Sequence, residues 1–337
     1  MNYFRIFGIL LALSPLQLLS QVSLLGQVFL CPDSAHCETG VRGMMPSRWI
    51  EVYYEKSTPF AAERGNVGIS QFRRSGFRAR LPLLAKPGLK MIAGFTYRQE
   101  YLGVSDISIE SEFPWQDIDR RRFNQRGFEL MWLTPFRGQA YMVGRASAAI
   151  HNPESNITLQ SFRRDGQFSL SQLMVLRPDA NRELGLGFYI KRAQGRTSTY
   201  PVALYNHTLS RRWGIEALLP SYARLRHNLG PTSAVVLQAK ASGGAFNMEF
   251  GTPLGQENLS LRRSELIVGL TFQQEIFDPL WIGFEFGVRQ PFQLGVFDPN
   301  APRTPLSSTP LSAATYFSTS LFLVPPRKLL RKLMGQR

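Results

Sequence analysis

The chain is poor in the residues from which metal sites and disulfide frameworks are made. Its 337 residues include two cysteines, Cys31 and Cys37, and four histidines, His36, His151, His207 and His227. Two cysteines and the neighbouring His36 do not close a tetrahedral zinc site. There is no Gly-rich phosphate loop, no paired metal motif, and no Ser/His/acid cluster at a recognisable spacing. No metal, cofactor or catalytic residue is therefore expected, and the chain reads as a protein that is not an enzyme. Beyond the N-terminus no run of eighteen apolar residues occurs, which speaks against a helical membrane protein. Helical periodicity is almost absent outside the two ends. Lysine is scarce as well: seven of the 39 basic residues are lysine and the rest are arginine.

What is present is alternation. In residues 264–290, Leu266, Val268, Leu270 and Phe272, then Ile282, Phe284, Phe286 and Val288, share one face. Glu265, Gly269, Thr271 and Gln273, then Gly283, Glu285, Gly287 and Arg289, share the other, with Ile267 and Trp281 as apolar exceptions. Period two is the strand period, and Asp278-Pro279 between the runs fits a hairpin turn. Similar runs recur through the chain. Phe77, Ala79, Leu81 and Leu83 oppose Arg78 and Arg80, and after a Lys-Pro-Gly turn Leu89, Met91, Ala93, Phe95 and Tyr97 oppose Lys90, Gly94, Thr96, Arg98 and Glu100. Leu184, Leu186, Phe188 and Ile190 oppose Gly185, Gly187, Tyr189 and Lys191. From Trp213 the odd positions are apolar while Gly214, Glu216, Arg224 and Arg226 take the even face. Parity survives Pro220 there, so one long kinked strand is expected. Parity is expected to flip after Gly243-Gly244, putting Phe246 and Met248 on the apolar face through a bulge or a turn. Residues 139–149 are ambiguous in facing. Residues 101–126 read as a long, polar external loop.

The formal net charge of +15 and an isoelectric point near 10.3 raise the question of nucleic acid. The basic residues are spread through the alternating runs rather than gathered on a helix, so no nucleic-acid partner is expected. Residues 1–20 read as a cleavable secretory signal, with Arg5 before an apolar stretch. Residues 21–48 follow as an N-terminal periplasmic segment, where Cys31 and Cys37 suit one small disulfide, a lipoprotein cysteine at Cys31 or free thiols being the alternatives. Residues 325–337 form a basic tail with leucines at helical spacing.

Together these features predict an all-β fold: an antiparallel, transmembrane β-barrel with meander topology over residues 49–324, of about twelve strands, with fourteen as the alternative. A barrel of this kind shows its apolar face to lipid and its polar face to the lumen. The charged residues assigned to the lumen are Arg78, Arg80, Lys90, Arg98, Glu216, Arg224, Arg226, Glu265, Glu285 and Arg289. Those assigned to lipid are Leu266, Val268, Leu270, Phe272, Ile282, Phe284 and Phe286. The expected location is a bacterial outer membrane, with its lipids, lipopolysaccharide and the barrel assembly machinery as partners.

Residues 213–244 (WGIEALLPSYARLRHNLGPTSAVVLQAKASGG), the segment LRRSELIVGLTF at 261–272 and the strand ending at Gly287 and Arg289 resemble a family of outer-membrane barrels of unknown function from Bacteroidota-type bacteria. The resemblance covers roughly residues 49–324 and implies a barrel and a location rather than a chemistry. The basic tail departs from it, since such barrels commonly end on an aromatic residue. Three functions fit the sequence: a structural barrel or small-solute pore with an Arg/Glu-rich lumen, a strand-borne hydrolase of lipid or peptide using His207 or His227 with Glu216 and Ser221, and a soluble periplasmic β-protein.

Overall fold

The computed structural model describes residues 40–60, 68–86, 88–105, 112–119, 121–136, 139–152, 165–193, 196–252, 255–298 and 304–326. The signal segment 1–20, both cysteines, the tail from 327 onward and residues 106–111 and 120 lie outside them. The described strands are β1 (Ile50–Ser57), β2 (Gly68–Lys86), β3 (Leu89–Ser105), β4 (Arg122–Pro135), β5 (Ala140–Asn152), β6 (Gly166–Asp179), β7 (Arg182–Ala193), β8 (Arg196–Thr208), β9 (Trp213–Leu219), β10 (Tyr222–Gly230), β11 (Ser233–Thr252), β12 (Gly255–Phe277), β13 (Leu280–Phe297), β14 (Pro305–Ser308) and β15 (Ala314–Leu323). Among the described residues one helix, α1 (Glu112–Asp119), lies in the β3–β4 connection.

Each strand from β1 to β13 pairs antiparallel with the next; β13 then pairs with β15, and β15 returns to β1 from Ile50↔Leu323 to Ser57↔Tyr316. The ring is closed with fourteen strands, since the short β14 only adds to the side of β13. The sequence expectation of about twelve is corrected to its alternative. One reason is the stretch read as a single kinked strand, which is a hairpin in which the Ser221 amide donates to the Leu218 carbonyl at 2.7 Å. Tyr222 faces Leu218 and Arg224 faces Glu216. Even positions therefore stay on one face on both sides of the turn, and parity cannot tell such a turn from a continuous strand.

The two ends of the ring differ. At one end two-residue turns join β2 to β3, β6 to β7, β10 to β11 and β12 to β13. At the other, long connections follow β1, β3, β5 and β13. Residues 40–49 enter and residues 324–326 leave at the turn end, where the Trp49 amide donates to Leu323 and that of Val324 to Pro279.

The sheet is apolar outside and polar inside. Leu186 is 73% exposed, Phe128 68% and Phe286 63%, and exposed Leu, Phe, Val and Met side chains recur on the outer face around the ring. Buried charge is concentrated on the inner face: Glu51, Glu55, Arg74, Arg80, Lys90, Glu100, Glu129, Arg145, Lys191, Arg226, Glu265 and Arg289. A soluble sandwich has the reverse polarity.

The lumen is not polar throughout. Phe60, Ile69, Phe72, Leu102, Phe123, Phe246, Met248, Leu259, Leu261, Leu294 and Val296 form a buried apolar cluster at the loop end. Trp115 and Ile118 of α1 complete it, and the Trp115 indole donates to Ser307 Oγ at 2.9 Å. Part of the stretch read as a polar loop is thus a plug. Phe246 and Met248 face inward, a second correction: β11 pairs with β12 without interruption from Ser233↔Gln274 to Thr252↔Gly255. The bulge lies on β13 instead, where Ser264 faces Gln293 but Glu265 faces Pro291. It turns Leu294 and Val296 inward. Parity on β11 misled because apolar residues serve both faces once the lumen itself holds an apolar layer.

Phe246 is therefore a core residue. Its replacement by alanine should destabilise the barrel by about 3–5 kcal/mol through the cavity it leaves. Equilibrium unfolding in urea measures this, and a cost near zero would place the ring on the outer face.

Candidate functional site in the barrel lumen

Inward side chains on a closed sheet meet across neighbouring strands, and the glutamates here are spread so that each meets a donor. Arg74 of β2 reaches three carboxylates: Glu100 at 2.9 Å, Glu55 at 3.3 Å and Glu265 at 3.4 Å. Arg263 of β12 binds Glu100 at 2.8 Å and Glu265 at 3.0 Å. Arg289 of β13 pairs with Glu55 and lies 3.4 Å from Glu265. The Phe72 ring lies under all three guanidiniums, with centroids 4.2–5.1 Å away. This aromatic face adds cation–π attraction where water is excluded. The network ties β1, β2 and β3 to β12 and β13 just beneath the apolar plug.

Smaller sets surround it. Glu129 is bound by Arg80 and Arg145, each at 2.6 Å. Glu51 takes Arg78 at 2.9 Å and also pairs with Arg48. Glu216 takes Arg226 at 3.0 Å. Glu285 takes Lys240 at 2.9 Å and Gln238 at 2.7 Å, and accepts from the Tyr316 hydroxyl. Glycines on the inner face make room for these groups: a Cβ at Gly94 would collide with the Glu129 side chain, and one at Gly214 with the Arg226 guanidinium.

Below the network lies a cavity of about 240 Å³. Among the residues lining it are seven cations, Arg48, Arg74, Arg78, Arg98, Arg224, Arg226 and Lys240, and four carboxylates, Glu51, Glu55, Glu216 and Glu285. Thr96, Gln125, Gln238, Thr271, Gln273, Ser318 and Ser320 line it too. The cations outnumber the carboxylates, so the cavity favours negative charge.

Residues 40–48 cross its turn end. The Gly40 amide donates to Glu183, and that of Arg42 to Ala180 at 3.0 Å. The Arg42 carbonyl accepts from Thr208 at 2.6 Å, and that of Gly43 from Asn228 at 2.9 Å. Gly43 has φ +71°, a conformation that suits glycine. The strap then reaches β1, where Arg48 stacks on Phe322 at 4.2 Å and Met45 packs on Trp281, Phe322 and Val324. On one side the walls themselves meet: Gln167 of β6 donates to the Ala245 carbonyl of β11 at 2.9 Å, and the His151 and Phe246 rings are 5.5 Å apart. A second apolar cluster, including Met131, Val143, Leu173, Val175, Tyr189 and Val202, fills the lumen beside β4–β8.

All ten charged residues assigned to the lumen stand on the inner face. Arg80, Lys90, Glu216, Arg226, Glu265 and Arg289 are buried there, and Arg78, Arg98, Arg224 and Glu285 are half-buried. Of the seven assigned to lipid, Val268, Leu270, Phe272, Phe284 and Phe286 are exposed on the outer face, with Leu266 and Ile282 half-exposed. The partners differ from a reading along one strand. Glu285 and Arg289 do not pair, because four residues of strand separate them by roughly 13 Å. Arg74, Arg263 and Glu55, which carry much of the network, were not singled out by sequence, whereas Glu100 was placed on the polar face of its strand with Lys90 and Arg98. The signal for Arg74 was the parity of β2 extended back to Phe72, and for Glu55 the odd face of β1. Arg145 sat in the stretch of ambiguous facing. The hydrolase constellation does not assemble. His207 points outward against Tyr205, with Nδ1 3.0 Å from the phenol oxygen, and His227 stacks outside on Trp213 at 4.3 Å, whereas Glu216 is inside with Arg226.

Fold and lumen define a closed antiparallel β-barrel with an apolar exterior and a charged, plugged interior. No protein-family model matches the chain, and no curated protein does. The Bacteroidota-type family thus has no match behind it, and what stands is the barrel. Among solved structures the chain is similar to an outer membrane channel from Pseudomonas putida F1 (8% identity, 87% of this chain and 99% of that one, TM-score 0.37). It is also similar to the translocator domain of the autotransporter NalP from Neisseria meningitidis (8%, 83% and 89%, 0.32) and to the P. putida toluene transporter TodX (8%, 81% and 88%, 0.30). These neighbours are outer-membrane barrels, and likenesses of this strength say nothing of what this chain does.

Replacing Glu265 by glutamine leaves Arg74, Arg263 and Arg289 short of one shared carboxylate. The loss should be about 3–5 kcal/mol, as for breaking a buried pair from one side. Denaturant unfolding of the two proteins in detergent measures it, and an unchanged midpoint would mean that the network is solvated.

Proposed function

We propose that this protein is an outer-membrane barrel whose lumen is a closed passage for small anions. The observation that carries the reading is the cavity, lined by more cations than carboxylates, with the apolar plug above it and residues 40–48 across its turn end. The apolar exterior supports the membrane location, because exposed Leu and Phe on this scale are costly in water and fit hydrocarbon. The short turns and the entry of residues 40–49 on one side fit periplasmic placement of that end, with the long connections outside. Outer-membrane lipid covers the belt, lipopolysaccharide meets it on the loop side, and the assembly machinery inserts it. At rest the passage is shut. The strap at residues 40–48 is the weaker closure, since hydrogen bonds, one stacked arginine and a few apolar side chains hold it. The loop-end plug is a packed core.

Two measurements test this. The intact barrel should need detergent for solubility and should shift its gel mobility on heating. In planar bilayers it should conduct little, and deletion of residues 40–48 should raise conductance at least tenfold with preference for chloride over potassium. A deletion barrel that stays silent, or one that prefers cations, would refute the anion passage.

A further inference from the structure

The loop end of the outer face carries an exception to the apolar belt. Lys56 of β1, Arg73 of β2, Tyr101 of β3 and Arg122 of β4 form one row, joined strand to strand by the pairs Lys56↔Arg73, Arg73↔Tyr101 and Tyr101↔Arg122. Their chain neighbours Glu55, Arg74, Glu100 and Phe123 are buried inside, so alternation sends the row outward, and its three cations are exposed. The four carboxylates of these strands, Glu51, Glu55, Glu100 and Glu129, all lie buried on the inner face, each bound by arginine. Among the described residues no carboxylate pairs with Lys56, Arg73 or Arg122. Lys56 and Arg73 thus stand directly opposite each other on an antiparallel pair with no counter-charge from the chain, an arrangement that repels. On the other side of Lys56 the same row continues as Phe317 of β15 and Phe286 of β13, both exposed.

Below the row the wall grades into the belt. Tyr97 donates to Asn124 at 3.2 Å, Gln99 donates to Asn124 at 3.1 Å, and Arg126 lies over the Tyr97 ring at 5.9 Å. Phe77, Phe95 and Phe128 follow, with ring centroids 6.5 and 5.2 Å apart. Aromatic residues flank the hydrocarbon band of such barrels, and Arg73, four residues beyond Phe77, stands roughly 13 Å further along the strand, or about 10 Å along the membrane normal at the usual tilt. That is the level of lipid headgroups. The row spans three inter-strand steps, roughly 14 Å, which is room for more than one phosphate.

We infer that Lys56, Arg73 and Arg122 bind the phosphates of an outer-leaflet lipopolysaccharide, whose acyl chains lie against Phe77, Phe95 and Phe128. The phosphates supply the counter-charge that the chain lacks here. Guanidinium forks suit phosphate oxygens, the Lys56 ammonium adds a point charge, and cations at headgroup level are drawn to anionic lipid. The row sits on a braced stretch of wall, since Arg74 inside it binds Glu55, Glu100 and Glu265. The inference deepens the reading of an outer-membrane barrel and rests on it for placing the loop end at the outer leaflet. It makes no use of the cavity.

The test uses the full-length barrel in detergent, titrated with lipopolysaccharide in mixed micelles and separately with dephosphorylated lipopolysaccharide. Saturable binding of the phosphorylated lipid is expected by native mass spectrometry, together with a rise in unfolding temperature. Removing the phosphates should weaken binding at least tenfold, and this arm needs only the native chain. The combined variant Lys56→Gln, Arg73→Gln, Arg122→Gln, with heat-modifiable gel mobility as the criterion of folding, should weaken binding of the phosphorylated lipid to the same degree. Arg192→Gln, which removes an exposed cation at the loop end of β7, should leave it unchanged. Inorganic phosphate should not displace the lipid, because it lacks the acyl chains. Equal affinity for the two lipids overturns the site, as does undiminished binding in the combined variant or an equal loss in Arg192→Gln. A barrel that needs detergent yet shows no preference for the phosphorylated lipid loses the site and keeps its membrane reading. A chain soluble without detergent loses both.

Discussion

The pairing of β15 with β1 is the constraint on which the rest of this molecule depends. Once that seam closes, each of the fourteen ring strands has a paired neighbour on both sides. A backbone so satisfied tolerates hydrocarbon on its outer face. Closure also sets a problem inside. A fourteen-strand ring encloses more volume than the side chains of a small barrel fill unaided. This chain meets it in three ways. An apolar layer built around α1 fills the loop end, a second apolar cluster fills the side under β4–β8, and the β6 and β11 walls touch. The cavity is what these leave over.

Within that remainder, charge follows the rule for low-dielectric surroundings. A carboxylate lies beside a guanidinium or ammonium from a neighbouring strand, and the strongest cluster shares three glutamates among Arg74, Arg263 and Arg289. Pairs of this kind are weak net contributors to stability but expensive to break from one side. They hold the barrel's cross-section because they join strands far apart in sequence, β1–β3 with β12–β13. The preference for arginine over lysine fits the geometry, since one guanidinium can serve two or three carboxylates at once where an ammonium serves as a point charge. Lys240 and Lys191 mark the contrast: Lys240 has Glu285, and Lys191 has none.

The two closures of the lumen differ in physical kind, and that difference carries the functional reading. Trp115, Ile118 and the phenylalanines around them are packed as a core, which opens only with loss of many contacts at once. The strap at residues 40–48 is held by hydrogen bonds to β7, β8 and β10, by one arginine stacked on Phe322, and by the buried side chains of Val41 and Met44 with Met45 beside Trp281. Segments held by few buried apolar contacts sit at the low end of local stability.

Much of this was legible in residues alone. Period-two alternation on β12 and β13 set which side chains share a face, because strand geometry leaves no other choice, and Glu265, Glu285 and Arg289 were placed with the polar face on that ground. Parity reached no further than single strands. It passed unchanged through the Leu219–Tyr222 turn and hid a strand boundary, and it read Phe246 and Met248 as outward because an apolar residue looks the same whether it faces lipid or a plug. Which arginine meets which glutamate was decided by register between strands as distant as β2 and β12. Only the closed ring brings Arg74 to Glu265, 191 positions away in the chain.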